Sequence, residues 1–174
     1  MNDVERLFRT YNVQLVRYLT RRLGDRDWAE EVAQEVFVRA LRQDHLTNER
    51  AWLFTVANNL VRDEARKDSR RRRHLVLLRE EAKADEESRE TEPSSLERAQ
   101  EAAKARRALE MLGERDRLAL LMREEGLDYH EIAEALGLSF GSIGTTLARA
   151  RRRLVEAWEA LQRAEHGGEH ASSG

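Results

Sequence analysis

Asp128-Tyr129-His130-Glu131-Ile132-Ala133-Glu134-Ala135-Leu136-Gly137-Leu138-Ser139-Phe140-Gly141-Ser142-Ile143-Gly144-Thr145-Thr146-Leu147-Ala148-Arg149-Ala150-Arg151-Arg152-Arg153 is the stretch that decides how the chain reads. Ile132, Ala133 and Leu136 share one helix face, and the small Ala133 lets a second helix cross closely. Gly137 stands where a tight turn needs a positive φ. Leu138 plugs the space between the helices. Ser139 is expected to cap the second helix, which Ile143 and Leu147 anchor at i and i+4. An ordinary helical hairpin could share the glycine turn. The spacing of Ala133, Gly137 and Ile143, followed by an Arg cluster, favours a helix-turn-helix. Its second helix would enter the major groove with its early residues near base edges. Arg149, Arg151, Arg152 and Arg153 could reach phosphates, an interaction that weakens with salt. The motif does not say which class of regulator carries it.

Working outward, the rest of the chain is also helical. Between Val4 and Leu23 the apolar residues Leu7, Phe8, Tyr11, Leu15, Tyr18, Leu19 and Leu23 recur with helical period, and Gly24 is a natural stop. Asp27 is expected to cap a second helix with Glu30 as its partner. That helix carries the stripe Trp28, Ala29, Val32, Ala33, Val36, Phe37, Ala40 and Leu41. After a polar break at Gln43 to Asn48, a third helix shows Trp52, Leu53, Val56, Ala57, Leu60, Val61 and Ala65 on one face. Trp52 starts that stripe and reads as core. Phe54 falls off it and is open either to stacking or to local packing. Periodicity fades after Leu78, around the only Pro (Pro93), and returns at Leu96, Ala99, Ala102, Ala103, Leu109 and Leu112. A helix is expected from about Asp116 to Glu125, then two short helices and a final Arg-rich one to about Leu161. The expected fold is all-α: two small helical domains at 1–73 and 96–163, a flexible acidic linker at 74–95, and a disordered tail at 164–174.

Composition agrees with two small cores. Of 174 residues 37% are charged and only 6% aromatic, so the apolar interior is mostly Leu, Val and Ala. The net charge of -2 conceals an uneven distribution. Residues 1–73 carry 16 Lys+Arg against 12 Asp+Glu, residues 74–101 carry 4 against 9, and residues 102–163 carry 11 against 10. Solvated faces would account for this, and so would a polyanionic partner for the basic ends. Cys is absent, which removes disulfides and thiolate metal sites. No apolar run resembles a signal peptide or reaches the roughly 18 residues that span a membrane. A soluble, intracellular protein is expected.

Two further blocks carry a family resemblance. Asp27-Trp28-Ala29-Glu30-Glu31-Val32-Ala33-Gln34-Glu35-Val36-Phe37-Val38-Arg39-Ala40 resembles the helix with which sigma factors grip the clamp of core RNA polymerase. Arg50-Ala51-Trp52-Leu53-Phe54-Thr55-Val56-Ala57-Asn58-Asn59-Leu60 resembles the promoter-melting helix that follows it. Leu112-Gly113-Glu114-Arg115-Asp116-Arg117, continued through the helix-turn-helix, resembles the C-terminal sigma domain. Their order, the acidic linker and the small size resemble the extracytoplasmic-function group of the sigma-70 family. The matching segments cover most of residues 4–160.

The resemblance implies residue roles. Glu30, Glu31, Gln34, Glu35, Val38 and Arg39 would dock on polymerase, although by itself this face reads as solvated. Gln43 to Glu49 corresponds to the loop that captures an unstacked base of the minus-ten element. Phe54, Asn58 and Asn59 would meet minus-ten bases, the Asn amides offering donors and acceptors. Arg62, Arg66, Lys67 and the run Arg70 to Arg73 would follow the phosphates. Ser139, Ser142, Thr145, Thr146, Arg149, Arg152 and Arg153 would meet the minus-thirty-five element. Here the sequence departs from the family, which often has Lys-Ser-Arg where this chain has Gly144-Thr145-Thr146. Two cations are missing, Gly144 lowers helix propensity by roughly 1 kcal/mol, and Ala148 is small. Affinity is therefore expected to rest on Arg149 and its neighbours.

Other chemistries find little support. His130-Glu131 followed by Glu134 lacks the second His of a zinc-protease helix, and His166 and His170 lie in the Gly-containing tail. No nucleophile motif or phosphate loop is organised, so no catalysis, metal or cofactor is expected. The expected partners are core RNA polymerase, promoter DNA and an anti-sigma factor wedged between the domains, the free chain being a monomer. A stand-alone helix-turn-helix repressor or activator is the alternative; it would not need the Glu30 to Arg39 face. An interaction module without DNA contact is a third reading.

Overall fold

The structure, a computed structural model, describes residues 3–67 and 93–171. Seven helices account for them: α1 (Asp3–Leu23), α2 (Arg26–Ala40), α3 (Glu49–Lys67), α4 (Pro93–Glu110), α5 (Glu114–Glu124), α6 (Tyr129–Leu136) and α7 (Phe140–Ala171). No strand occurs among the described residues. The linker expected at 74–95 lies outside the described residues up to 92, and its last three positions already belong to α4. The basic run Arg70 to Arg73 lies outside them too.

Local chemistry sets the boundaries. α1 stops at Gly24, whose φ of 70° places it in the left-handed region, and its N–H closes on Thr20 O at 2.7 Å. Asp25, not Asp27, caps α2: its carboxylate accepts from the Trp28 N–H at 3.0 Å. The helix thus begins two residues earlier than the capping-box reading places it, and Asp27 is an exposed first-turn acid. At α6 the capping box is complete, with Asp128 accepting from Glu131 N at 2.8 Å and Glu131 accepting from Asp128 N at 3.3 Å. Gly137 ends α6 at φ 65°, as the turn requires.

α7 corrects the sequence reading at its far end. The second motif helix and the final Arg-rich helix are one, 32 residues from Phe140 to Ala171, which runs past Leu161 through the segment expected to be disordered. Glu165 explains the extension. It accepts from Lys104 Nζ at 3.2 Å and lies 3.8 Å from Arg107, tying the tail to α4. Lys104 is itself buried, with its ammonium 4.5 Å from the centre of the Trp158 ring.

The expectation of two independent cores is also corrected. One apolar cluster runs from Leu15, Tyr18, Val36, Leu53 and Phe54 of α1–α3 into Leu118, Met122, Ile132 and Leu147 of α5–α7. The two halves are docked, chiefly through α3 against α6 and α1 against α5. A smaller cluster of Ala108, Leu112, Ala150 and Ala157 joins α4 to the distal part of α7.

Candidate polymerase and DNA interfaces

Three surfaces carry the residues singled out in the sequence. On α2 the buried stripe Trp28, Val32, Val36 and Phe37 turns Glu30, Glu31, Gln34, Glu35, Val38 and Arg39 outward, and all six are exposed. Arg26 Nε reaches Glu30 at 3.0 Å and Arg39 Nε reaches Glu35 at 3.0 Å, both one helical turn apart. A groove of ≈ 710 Å³ runs beside this face, walled by Phe8, Val13 and Arg17 of α1 and by Glu30, Glu31 and Gln34 of α2. The face therefore combines anionic charge with apolar surface, Phe8 being 46% and Val38 42% exposed.

The second surface, on α3, divides. Asn59 and Arg62 are exposed, as a strand-reading face requires. Arg66 and Lys67 lie outside the described side chains. Phe54 and Asn58 differ from the expectation of accessible readers. Phe54 is wholly enclosed and packs against the Tyr18 ring, with 4.9 Å between centroids. Asn58 is 1% exposed. Its Oδ1 accepts from Tyr18 Oη at 2.7 Å and from Arg22 Nη1 at 2.8 Å, and its Nδ2 donates to Ala135 O of α6 at 3.4 Å. The reason is the docking of the halves, which gives Asn58 a buried polar network instead of solvent. Burial pushes the Tyr18 hydroxyl up to about 12, opposed by nearby Arg22, so it remains a donor. Trp52 is half-buried against the main cluster, in keeping with its place on the stripe. The loop before α3 is largely exposed, although Asn48 Nδ2 donates to Glu134 at 3.1 Å.

The third surface is the helix-turn-helix. Ser139, Thr145 and Arg152 are exposed. Ser142 is half-buried, and its Oγ donates to Ser139 O at 2.8 Å. The Ser142 N–H donates to the same Ser139 carbonyl at 3.1 Å. Thr146 faces inward, 5% exposed, with Oγ1 on Ser142 O at 2.8 Å. Its helical position alongside Ile143 and Leu147 turns it to the core, which corrects its place among the base readers. Arg149 and Arg153 are committed as well. Arg149 Nη2 and Arg153 Nη1 each donate to Asp116 at 2.8 Å, and that carboxylate is 3% exposed. The Arg149 hydrogen bond, opposed by burial and reinforced by Arg153, holds the Asp116 carboxyl below its usual range. These two cations fasten α7 to α5 and leave Arg151 and Arg152 as the cations fully presented to solvent.

Comparison with known proteins decides what these surfaces belong to. Residues 7–71 match the family model described as Sigma-70 region 2, and residues 102–154 match Sigma-70, region 4. The chain is 30% identical over 159 residues to the RNA polymerase sigma factor YlaC of Bacillus subtilis, covering 88% of this chain and 90% of that one. It is 32% identical over 155 residues to the ECF RNA polymerase sigma factor SigL of Mycobacterium tuberculosis, covering 85% and 84%. The chain belongs to the sigma-70 family. It is an extracytoplasmic-function sigma factor, which directs promoter-specific transcription, and the stand-alone regulator is not favoured. The fold of this sigma factor is shared with RpoE from Bartonella quintana, solved in complex with the anti-sigma factor NepR, at a TM-score of 0.61 and 20% identity over 91% of this chain and 98% of that one.

In this sigma factor region 2 thus comprises α1–α3, and region 4 comprises the second half of α4, then α5, α6 and the first half of α7. Sequence reasoning missed the residues that hold them together. Arg17 donates to both oxygens of Glu125, with Nη2 at 2.7 Å, and Arg21 reaches the same carboxylate at 3.4 Å. Gln14 donates to the Glu125 carbonyl. Arg50 forms a fork on Glu131, Nε at 2.7 Å and Nη2 at 3.0 Å, and Arg22 reaches Glu114 at 3.1 Å. The available signal was Glu125, an acid immediately before a turn glycine whose neighbours Leu121, Met122 and Leu127 are core; its burial follows from that position. No helix among the described residues is long and apolar enough to cross a membrane.

Proposed function

We propose that the α2 face, the α3 outer face and the exposed part of α7 divide the work of initiation. Glu30, Glu31, Gln34, Glu35, Val38 and Arg39 dock on core RNA polymerase. Asn59 and Arg62, continued by Arg66 and Lys67, follow the minus-ten strand. Ser139, Ser142, Thr145 and Arg152, with Arg151, approach the minus-thirty-five element, Arg149 and Arg153 keeping a share of phosphate contact through N–H groups not used by Asp116. Asn58 takes part only after region 4 leaves α3, and Phe54 serves the core of region 2. The sigma factor contributes binding energy to strand opening, and polymerase in the bacterial cytoplasm does the chemistry.

The observation that carries this reading is the unequal exposure of the surfaces. The polymerase face is open while Asn58, whose amide meets Ala135 O of α6, is covered. Polymerase can therefore be met first, and separation of the halves would follow. An anti-sigma factor that favours the docked form would keep a free monomer inactive; the shared fold with an anti-sigma-bound RpoE supports this.

The test is transcription by purified core polymerase on a promoter library, with wild-type protein and with Glu31→Lys/Glu35→Lys. Wild type should give promoter-specific starts. The charge-reversed variant, altered only at exposed positions, should keep its melting temperature and lose core binding. Unchanged core affinity would remove α2 from the interface.

A further inference from the structure

The reading face of α7 is nearly bare. Between positions 140 and 148, Ile143, Thr146 and Leu147 are buried, Gly141, Thr145 and Ala148 are exposed, and Ser142 and Gly144 are half-buried. Phe140 is the exception: a large apolar side chain at the first position of the helix, 50% exposed. It is also held in place. Its ring lies almost parallel to that of His130, with 4.0 Å between centroids and 14° between planes. The Tyr129 ring closes a second side at 6.3 Å. Arg123 sits 5.6 Å over that ring, and a Cβ at Gly144 would lie 3.8 Å from it. An aromatic step of Tyr129, His130 and Phe140 therefore projects from the end of the helix-turn-helix where base edges are met.

We propose that Phe140 is a specificity-determining residue of the minus-thirty-five interface, reading a thymine through its C5-methyl group. This rests on the assignment of region 4 to that element under Proposed function. The chemistry follows from what the helix lacks. With Gly144, Thr145 and Ala148 in the groove, hydrogen-bonding readers are few and the helix can approach the base edges closely. The C5-methyl of thymine is the apolar feature of the major groove, and a phenyl ring complements it. Stacking on His130 fixes the ring before binding, so little side-chain freedom remains to be lost on contact. Covering one methyl group is worth about fourfold in affinity.

The experiment uses the assembled holoenzyme. Duplexes with a randomised minus-thirty-five hexamer are selected by wild-type holoenzyme, and each thymine of the preferred hexamer is then replaced by deoxyuracil. One replacement should weaken wild-type binding about fourfold. Phe140→Ala should bind thymine and uracil duplexes equally at that position, while Thr145→Ser and Ala148→Gly should keep the uracil penalty. The absence of any uracil penalty in wild type would overturn the proposal, as would a penalty that Phe140→Ala retains or that either control variant abolishes. Should Phe140→Ala not fold, the wild-type penalty and its persistence in the two controls still decide the matter. If wild-type holoenzyme selects no preferred hexamer at all, the region 4 assignment fails first and the reader falls with it.

Discussion

Asn58→Ala tests the buried polar network that lies beneath the docked α6. The substitution removes an acceptor shared by Tyr18 Oη and Arg22 Nη1, and the donor to Ala135 O. Tyr18 is fully buried and its hydroxyl stays protonated, so it would keep a donor with nowhere to direct it. A buried polar group left unmatched costs about 1–3 kcal/mol. Arg22 is cushioned, because its other nitrogen still meets Glu114 at 3.1 Å. The bond to Ala135 is long at 3.4 Å and adds little. The expected loss is about 2 kcal/mol, or about 4–8 °C in melting temperature for a chain of this size. The assay is urea and thermal unfolding of the free protein, with fluorescence transfer between labels on α2 and α7 reporting separation of the halves. Exposed Asn59→Ala should shift stability by no more than about 0.5 kcal/mol. An Asn58→Ala protein as stable as wild type would refute the argument that this buried network, built within region 2 and covered by α6, stabilises the docked fold.

Three other outcomes follow from separate features. Glu125→Lys places a cation against Arg17 and Arg21, so transfer efficiency between the halves should fall, most strongly at low salt. The Asp116 carboxyl has a folded pKa below the ordinary value of 3.8, so its stabilising effect is complete above that value and is lost as pH falls through the lowered folded value. Acid titrations of wild type and Asp116→Asn should therefore differ in slope below about pH 4 and run parallel above it. Gly137→Ala meets no atom within 4 Å but must hold φ near 65°, so it should cost about 1–2 kcal/mol through backbone strain alone.

Much of the fold was legible because its signals are local. Apolar periodicity places α1 to α6 and the start of α7, though not the continuity of α7, and Gly24 and Gly137 mark helix stops through the one property that glycine alone has in abundance. What could not be read depends on contacts distant in sequence. The segment after Leu161 looks unsuited to a helix until Glu165 meets Lys104, 61 positions earlier. Asn58 has the chemistry of a base reader, and only the position of Ala135 shows that it faces protein in the docked form. Arg149 and Arg153 look like phosphate ligands until Asp116 is found beneath them. The outer face of α2 was readable because an amphipathic helix sorts its own residues; the α7 face was misread at Thr146 because a family alignment of positions does not state which way each points.

Glu131 has a consequence that reaches beyond its own turn. Its carboxylate accepts from the Asp128 N–H at the start of α6 and from both arms of the Arg50 fork on α3. One side chain thereby serves the integrity of the DNA-binding motif and its attachment to region 2. Such sharing makes the contact polar in only one sense. Exchanging the charges, with Glu at 50 and Lys at 131, would restore the attraction between the halves yet leave the α6 start without its acceptor, since an ammonium cannot receive a hydrogen bond. The contact therefore has a fixed orientation, because position 131 must carry an acceptor to serve the Asp128 N–H as well as Arg50.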